Sequence, residues 1–468
     1  MMPRRTAGLA LAGIVLLALL HAAAFILHER SEWTDAGVFS DQLEYETLAR
    51  TLVQQGRYTT YPDVTPTIPE AKRPPGYPLF LAGVYLLVGE SRLAVVAVHA
   101  LLFALVCCLM YAVGARVRGR ELGLIAAAAT ALYAPLPYYG AQALSMVLST
   151  LLMVAVVWLL VPVPVLPSTG RFVVAGLVCG ALVLVRPAFI LAPLWIAAWY
   201  AVVAPRLGSG RPSGRALAGF LVAVALLMAP WLAYTASHFG SLSPAPAGRV
   251  WRDLWEGTWH GVWPGRIHAQ IMSIGKAGLM GAALDEQLRP LGPDVARMRR
   301  FLEEERAIAE PIRALDDPRA RVYAQVAAEG AYRRTALRNI AEDPLGYVWR
   351  RATHGTFTLW ASHIPIRYRL IDSMPPVVIR AIWALQVILL GVAVWGTVLL
   401  WRADRRLASF VLLPVVYVAV VHFPLRPDPR WALPVMPLVL LLATIAVASL
   451  WRSAPVGIPQ MRSVSWRA

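Results

Sequence analysis

The sequence predicts an all-α polytopic membrane protein of about ten transmembrane helices, with interfacial helices in its first outer loop and a small helical outer region. Apolar blocks of about 18 or more residues, the length that crosses a bilayer, recur along most of the 468 residues. Hydrophobic residues make up 58% of the chain, above the roughly 45–50% of soluble domains. The blocks are continuous, without the period-2 alternation of barrel strands.

The elements follow in order. Arg4 and Arg5 precede an apolar run that continues through Leu27. It resembles a secretory signal, but its length reads as a retained first helix over 7–27. A polar segment then fills 31–78. Within it, 41–55 puts Leu43, Leu48, Leu52 and Val53 near one helical face. Ser40 or Asp41 can cap that helix, Gly56 ends it, and it is expected to lie at the membrane interface. The apolar run 77–88 is too short to span comfortably and reads as re-entrant or interfacial. Spans are expected at about 93–115, 121–139, 143–161, 172–185, 188–204 and 216–236. A long polar stretch runs from His238 to about Pro376, strongly helical in pattern over 294–343, with a break at Asp343-Pro344. The run Glu303, Glu304 and Glu305 reads as a solvated helix face. Three spans close the chain near 377–400, 407–421 and 432–450. The regions are therefore 1–236, carrying the first outer loop 28–78; an outer helical region 237–376; and 377–468, a second membrane module with a short cytoplasmic tail.

The net charge of +17 comes almost wholly from Arg, with Lys only at 72 and 276. Arg gathers in short loops between apolar blocks, as topology signals do, which disfavours nucleic acid as a partner. Arg4 and Arg5, Arg116 to Arg120, Arg171, Arg206 to Arg215, Arg402 to Arg406 and Arg452 all fall on one side, expected to be cytoplasmic together with the N-terminus. The first loop, the turn 138–142, the stretch 238–376 and the loop 422–431 share the other side. The Arg, Ala, Gly and Pro skew suggests a bacterial genome, hence an inner membrane. Cys107, Cys108 and Cys179 lie in apolar blocks and build neither a disulfide framework nor a zinc site. No nucleotide-binding loop is present.

Candidate chemistry concentrates on the outer side. Asp41, in a partly dry cleft, can have its pKa raised and act as a general base. Tyr45 follows one turn later on the same face; the competing reading of Asp41 is a helix cap. Lys72 and Arg73 stand in a corner stiffened by Pro74, Pro75, Gly76, Tyr77 and Pro78. Two rigidly held cations suit a phosphate, or equally a lipid headgroup. Arg186 lies near membrane depth, where a cation is costly, unless it reaches the interface. Arg426 and Arg430 occupy a proline-stiffened outer loop and suit an anion. His422 and Asp428 there could hold a divalent metal, without a clear ligand set.

Together these pieces resemble the GT-C membrane glycosyltransferases, in the branch of glycosyltransferase family 39-like proteins related to protein O-mannosyltransferases and bacterial lipid A aminoarabinose transferases. The resemblance lies in Ser40-Asp41, Tyr45 and Ala49; Gly56-Arg57-Tyr58; the corner from Arg73 to Pro78; Val185-Arg186-Pro187; Ala229-Pro230-Trp231; Asp343 to Tyr347; and Arg430-Trp431 with Pro434 and Pro437. It implies that Asp41 serves the catalytic centre of an inverting transferase at the outer membrane face. It further implies a polyprenyl-phosphate-linked sugar as donor, a hydroxyl as acceptor, and Lys72, Arg73, Arg186, Arg426 and Arg430 around the phosphate, with Tyr45 and Tyr77 among the binding residues. One departure stands out: relatives often carry an acid near the start of the fourth span, where this chain reads Gln142 to Met146 without a carboxylate. Asp41 then works alone or with Glu44, Asp253 or Glu256. The rival classes are a secondary transporter, disfavoured because polarity gathers on one face instead of at mid-membrane, and an inactive scaffold.

Overall fold

The apolar periodicity resolves into helices throughout, and no strand occurs among the described residues. The structure is a computed structural model and describes residues 3–30, 33, 40–162, 165–208, 210–366, 371 and 373–452. Loop residues 31, 32 and 34–39 and the tail beyond 452 lie outside them.

Among the described residues, seven helices are long and apolar enough to cross a membrane. They are α1 (Arg4–Glu29), α4 (Arg92–Arg118), α9 (Pro187–Arg206), α10 (Gly214–Phe239), α17 (Pro376–Ala403), α18 (Arg405–His422), and the closing segment Pro429–Leu450, whose regular part is α19 (Met436–Arg452). Several start on side-chain caps, which satisfy otherwise orphaned amides: Ser91 accepts from the Ala94 amide (3.3 Å), Ser213 from Ala216 (3.1 Å) and Asp404 from Leu407 (2.9 Å). Leu9, Leu20 and Leu27 of α1 face outward, as lipid contact requires.

The remaining three expected spans are shorter. The run 121–139 is broken into α5 (Arg120–Leu132) and α6 (Pro135–Gly140). Pro135 and Pro137 lack the amide that would continue the helix. Instead of 143–161, α7 covers Met146–Leu160, and α8 covers Thr169–Val185; the three helices have 13, 15 and 17 residues. Among the first-loop elements, α2 (Ser40–Gln55) and α3 (Gly76–Val88) form as expected, and Gly56 after α2 is left-handed at φ 65°.

One end of the bundle is basic. Arg116 and Arg171 both donate to the carbonyl of Trp158, at 2.5 and 2.8 Å. The indole of Trp199 bonds Ser409 nearby (3.2 Å). At the far end, α3 abuts the end of α8: a Cβ on Gly76 would lie 2.6 Å from the Leu184 backbone. Only glycine permits this approach, and it holds the corner before α3 against Arg186.

The stretch 238–376, expected from sequence to lie on the outer side, folds around its own core. It comprises α11 (Val250–Trp259), α12 (Gly265–Lys276), α13 (Gly281–Leu288), α14 (Val295–Arg313), α15 (Pro318–Glu342) and α16 (Pro344–Arg350). Trp255, Phe301 and Tyr332 pack at its centre. The solvated face expected for the triple-Glu run forms only in part: Glu303 is exposed, but Glu304 and Glu305 are buried. Glu304 accepts from the indoles of Trp255 (2.8 Å) and Trp259 (3.1 Å) and pairs with Arg300 and Arg338. A buried carboxylate needs such partners.

Candidate active site

The site starts with α2 locked against its neighbours. Tyr45 packs edge-on against Tyr77, with ring centroids 4.9 Å apart. Glu46 is clamped by both arms of Arg92, at 2.8 and 2.7 Å. This fixes which side of α2 faces the corner. There the Glu70 carboxylate accepts from the backbone amides of Lys72 (2.7 Å) and Arg73 (3.0 Å), while the Tyr58 hydroxyl donates to the Arg73 carbonyl (2.9 Å).

Held in this way, Arg73 reaches two carboxylates of α2. Its Nη2 lies 2.6 Å from Asp41 Oδ1 and its Nε donates to Glu44 Oε2 at 2.6 Å. The guanidinium lies over the Tyr45 ring, 4.9 Å from its centroid. Lys72 pairs with the other oxygen of Glu44. From the last outer loop, Arg430 Nη1 approaches Asp41 Oδ2 (3.5 Å) and its Nη2 bonds Asp428 Oδ2 (2.8 Å). Asp41 is thus shared between two guanidiniums supplied by opposite ends of the sequence.

Arg186 completes the group. It follows the last residue of α8, is 7% exposed, and donates to the Met146 thioether sulfur (2.7 Å). It lies in the electrostatic field of Arg430, Asp428 and Asp41. Among the described residues no carboxylate forms an ion pair with it. A buried cation in that condition is costly, which makes it a functional candidate.

The electrostatics of Asp41 run opposite to the sequence expectation. Burial raises its carboxyl, but Arg73 and then Arg430 outweigh burial and hold it at about 2. The capping reading gives way to these ion pairs. Of the three alternative acids only Glu44 joins the cluster. Glu256 binds Arg249 (3.0 Å), Arg252 (3.1 Å) and Arg426 (2.6 Å) in the outer region. Asp253, on the same helix, is raised to about 7 by burial, with Glu256 adding to the rise and Arg249 and Arg426 opposing it.

Two sequence candidates stand elsewhere. Arg426 pairs with Glu256, and its amide bonds the Asp253 carbonyl (2.7 Å), so it ties the last loop to the outer region instead of joining Asp41. Tyr77 is fully buried behind Tyr45, its hydroxyl on His99 (3.2 Å), and supports the site from beneath. The metal pair does not form a ligand set: Asp428 is held by Arg430, and the His422 ring stacks on Trp431 at 4.6 Å. No group of three or more His, Cys, Asp or Glu among the described residues could hold a metal ion.

Sequence reasoning missed Met146 as a partner of Arg186 and the roles of Glu44 and Asp428 as second counter-ions. A signal for Asp428 existed: two residues before Arg430 across a proline, it caps the turn Pro429–Trp431 through the Arg430 amide (2.9 Å). Beside the cluster, a cleft of about 460 Å³ opens between the first loop and the outer region, lined by Glu44, Glu70, Lys72, Arg249, Arg313 and Glu329 among others.

Solved structures share the fold that carries these residues. The archaeal oligosaccharyltransferase AglB from Archaeoglobus fulgidus, in complex with an inhibitory peptide and a dolichol-phosphate, aligns over 95% of this chain and 50% of its own at 12% identity, with a TM-score of 0.52. The apo form of the Archaeoglobus fulgidus oligosaccharyltransferase gives 0.52 at 11% identity over 95% and 51%. ArnT from Cupriavidus metallidurans bound to undecaprenyl phosphate aligns over 94% of this chain and 78% of its own at 14% identity, with a TM-score of 0.40. The chain spans about half the length of the oligosaccharyltransferase it matches. No protein-family model matches the sequence, and no curated protein matches it. The chain shares its fold with these oligosaccharyltransferase structures over about half of their length.

Proposed function

We propose that the chain is an inverting glycosyltransferase that moves a sugar from a polyprenyl-phosphate donor to a hydroxyl acceptor at the outer face of a bacterial inner membrane. The observation that carries this reading is the buried Arg186, without a carboxylate partner among the described residues, in the field of Arg430 and of the Asp41 that Arg430 shares with Arg73. Two guanidiniums on one carboxylate, with a third in the field of Arg430, make an anion site, and guanidinium geometry suits phosphate. That an archaeal protein of this fold was solved with a dolichol-phosphate favours a lipid-borne phosphate over a free one.

In this reaction the acceptor hydroxyl attacks the anomeric carbon and its proton passes to Asp41. The bond from that carbon to the phosphate oxygen breaks, and its electron pair leaves on the phosphate. Fixed cations aimed at charge that develops in the transition state usually supply most of a rate enhancement, and Arg73, Arg186 and Arg430 hold that position. The anomeric centre passes through an oxocarbenium-like state. The cleft beyond Glu44 and Lys72 gives the acceptor an approach from the outer side.

The test is deletion of the gene, followed by mass spectrometry of the cell's glycolipids, wall polymers and exported glycoproteins. One glycan modification should disappear and return with the wild-type gene. Asp41→Asn should insert and fold but restore about 10²–10⁴-fold less turnover, the usual contribution of a general base. Unaltered envelope glycans after deletion would overturn the assignment.

A further inference from the structure

In this structure Asp41 stands where the proposed reaction needs the donor's phosphate. Its carboxylate bridges Arg73 (2.6 Å) and Arg430 (3.5 Å). Each guanidinium also has a second carboxylate: Glu44 on Arg73 Nε (2.6 Å) and Asp428 on Arg430 Nη2 (2.8 Å). Withdrawal of Asp41 would therefore leave both guanidiniums anchored by their second carboxylates while the N–H groups that met Asp41 turn to the incoming anion. Arg186, whose guanidinium donates to the Met146 thioether, faces the same field and holds charge in reserve.

We infer that Asp41 is an internal stand-in for the donor phosphate: the lipid-linked phosphate displaces it from Arg73 and Arg430, and only this exchange frees it to take the acceptor's proton. The inference rests on the transferase reading and sets an order, donor before acceptor, because an acceptor arriving first meets a carboxylate still clamped by two guanidiniums.

The transfer step itself conserves charge. When transfer occurs, the departing phosphate gains a second negative charge as Asp41 becomes neutral by taking the hydroxyl proton, so the net charge facing Arg73 and Arg430 does not change.

The experiment uses the full chain in lipid nanodiscs with undecaprenyl phosphate as the probe, its affinity measured for wild type, Asp41→Asn, Asp41→Ala and Arg186→Met. Thermal unfolding establishes that each variant is folded. Both Asp41 variants should bind the probe about 10-fold more tightly, because a competing charge-assisted contact has been removed. Arg186→Met should bind about 10-fold more weakly. Equal affinity in the Asp41 variants would overturn the stand-in, since Asp41 would then not compete. Weaker binding would also overturn it, since Asp41 would then help hold the phosphate. Absence of wild-type binding, or binding indifferent to Arg186, would instead count against the transferase reading itself.

Discussion

Arg73 shows how one side chain serves two partners. It pairs with Asp41 and Glu44 and lies over Tyr45. Its replacement by Ala should weaken undecaprenyl phosphate binding by about 1.5–3 kcal/mol, the worth of a charged hydrogen bond. Lys should rescue only part of this, since an ammonium cannot hold Glu44 and a phosphate at once as the planar guanidinium does. Titration of the lipid phosphate into the variants reads the difference, and unchanged affinity in Arg73→Ala would return the corner to a structural role. Asp41, Arg73, Arg186 and Arg430 were legible in the sequence because charge beside apolar blocks is costly and needs a reason. The low carboxyl range of Asp41 was not legible. It comes from Arg73, 32 residues away, and Arg430, 389 residues away. Arg426 looked equivalent to Arg430 for the same reason, its partner Glu256 being 170 residues distant.

Among the elements, the contact between α3 and α8 positions the cations. Gly76→Ala would drive a methyl group into the Leu184 and Val185 backbone, 2.6 Å away. It should cost about 1–3 kcal/mol by overpacking and shift Arg73 from Arg186, weakening probe binding as well. Gly83→Ala on the same helix meets nothing within 4 Å and should stay within about 0.5 kcal/mol. Thermal unfolding with probe titration checks both, and an unaffected Gly76→Ala would refute the close approach. In the outer region, Asp253 titrates at about 7 in the fold against an ordinary 3.8, burial being the first cause. The folded form thus keeps a proton that the unfolded chain releases. By linkage this group's stabilisation is fullest below about pH 4 and declines as pH rises towards about 7. Asp253→Asn should remove that slope and unfold at higher temperature than wild type at pH 8, as scanning unfolding between pH 4 and 8 in detergent would record. Periodicity exposed α2 and the long spans well. It failed over 121–139, where an apolar run hid the break made by Pro135 and Pro137, and at Glu304, whose indole partners come from another helix.

For the whole molecule, the alternation of basic and polar ends predicts the topology. Single cysteines placed at Arg118 and Arg211 should react with a membrane-impermeant thiol reagent only after the cells are opened, while positions within 290–340 should react in intact cells. Labelling of Arg211→Cys in intact cells would separate the candidate residues onto two faces and dissolve the site. The span count was less legible than the alternation, because ridges of apolar residues look alike whether they contact lipid or protein. The short α7 and α8 make this concrete. At 15 and 17 residues they are about 22 and 26 Å long at 1.5 Å per residue, against a hydrocarbon layer about 30 Å thick. Their basic ends meet at Trp158 and Arg171, the residue types that anchor at an interface. With those ends anchored, Met146 and Arg186 at the far ends stop several ångströms short of the opposite headgroup plane. No residue of α7 is exposed, and α8 is covered from Cys179 to Arg186, so protein and not lipid closes over their short ends. On the proposed reading, the depth at which these two helices stop, and not the side chains alone, sets how far a phosphate must sink to reach Arg186.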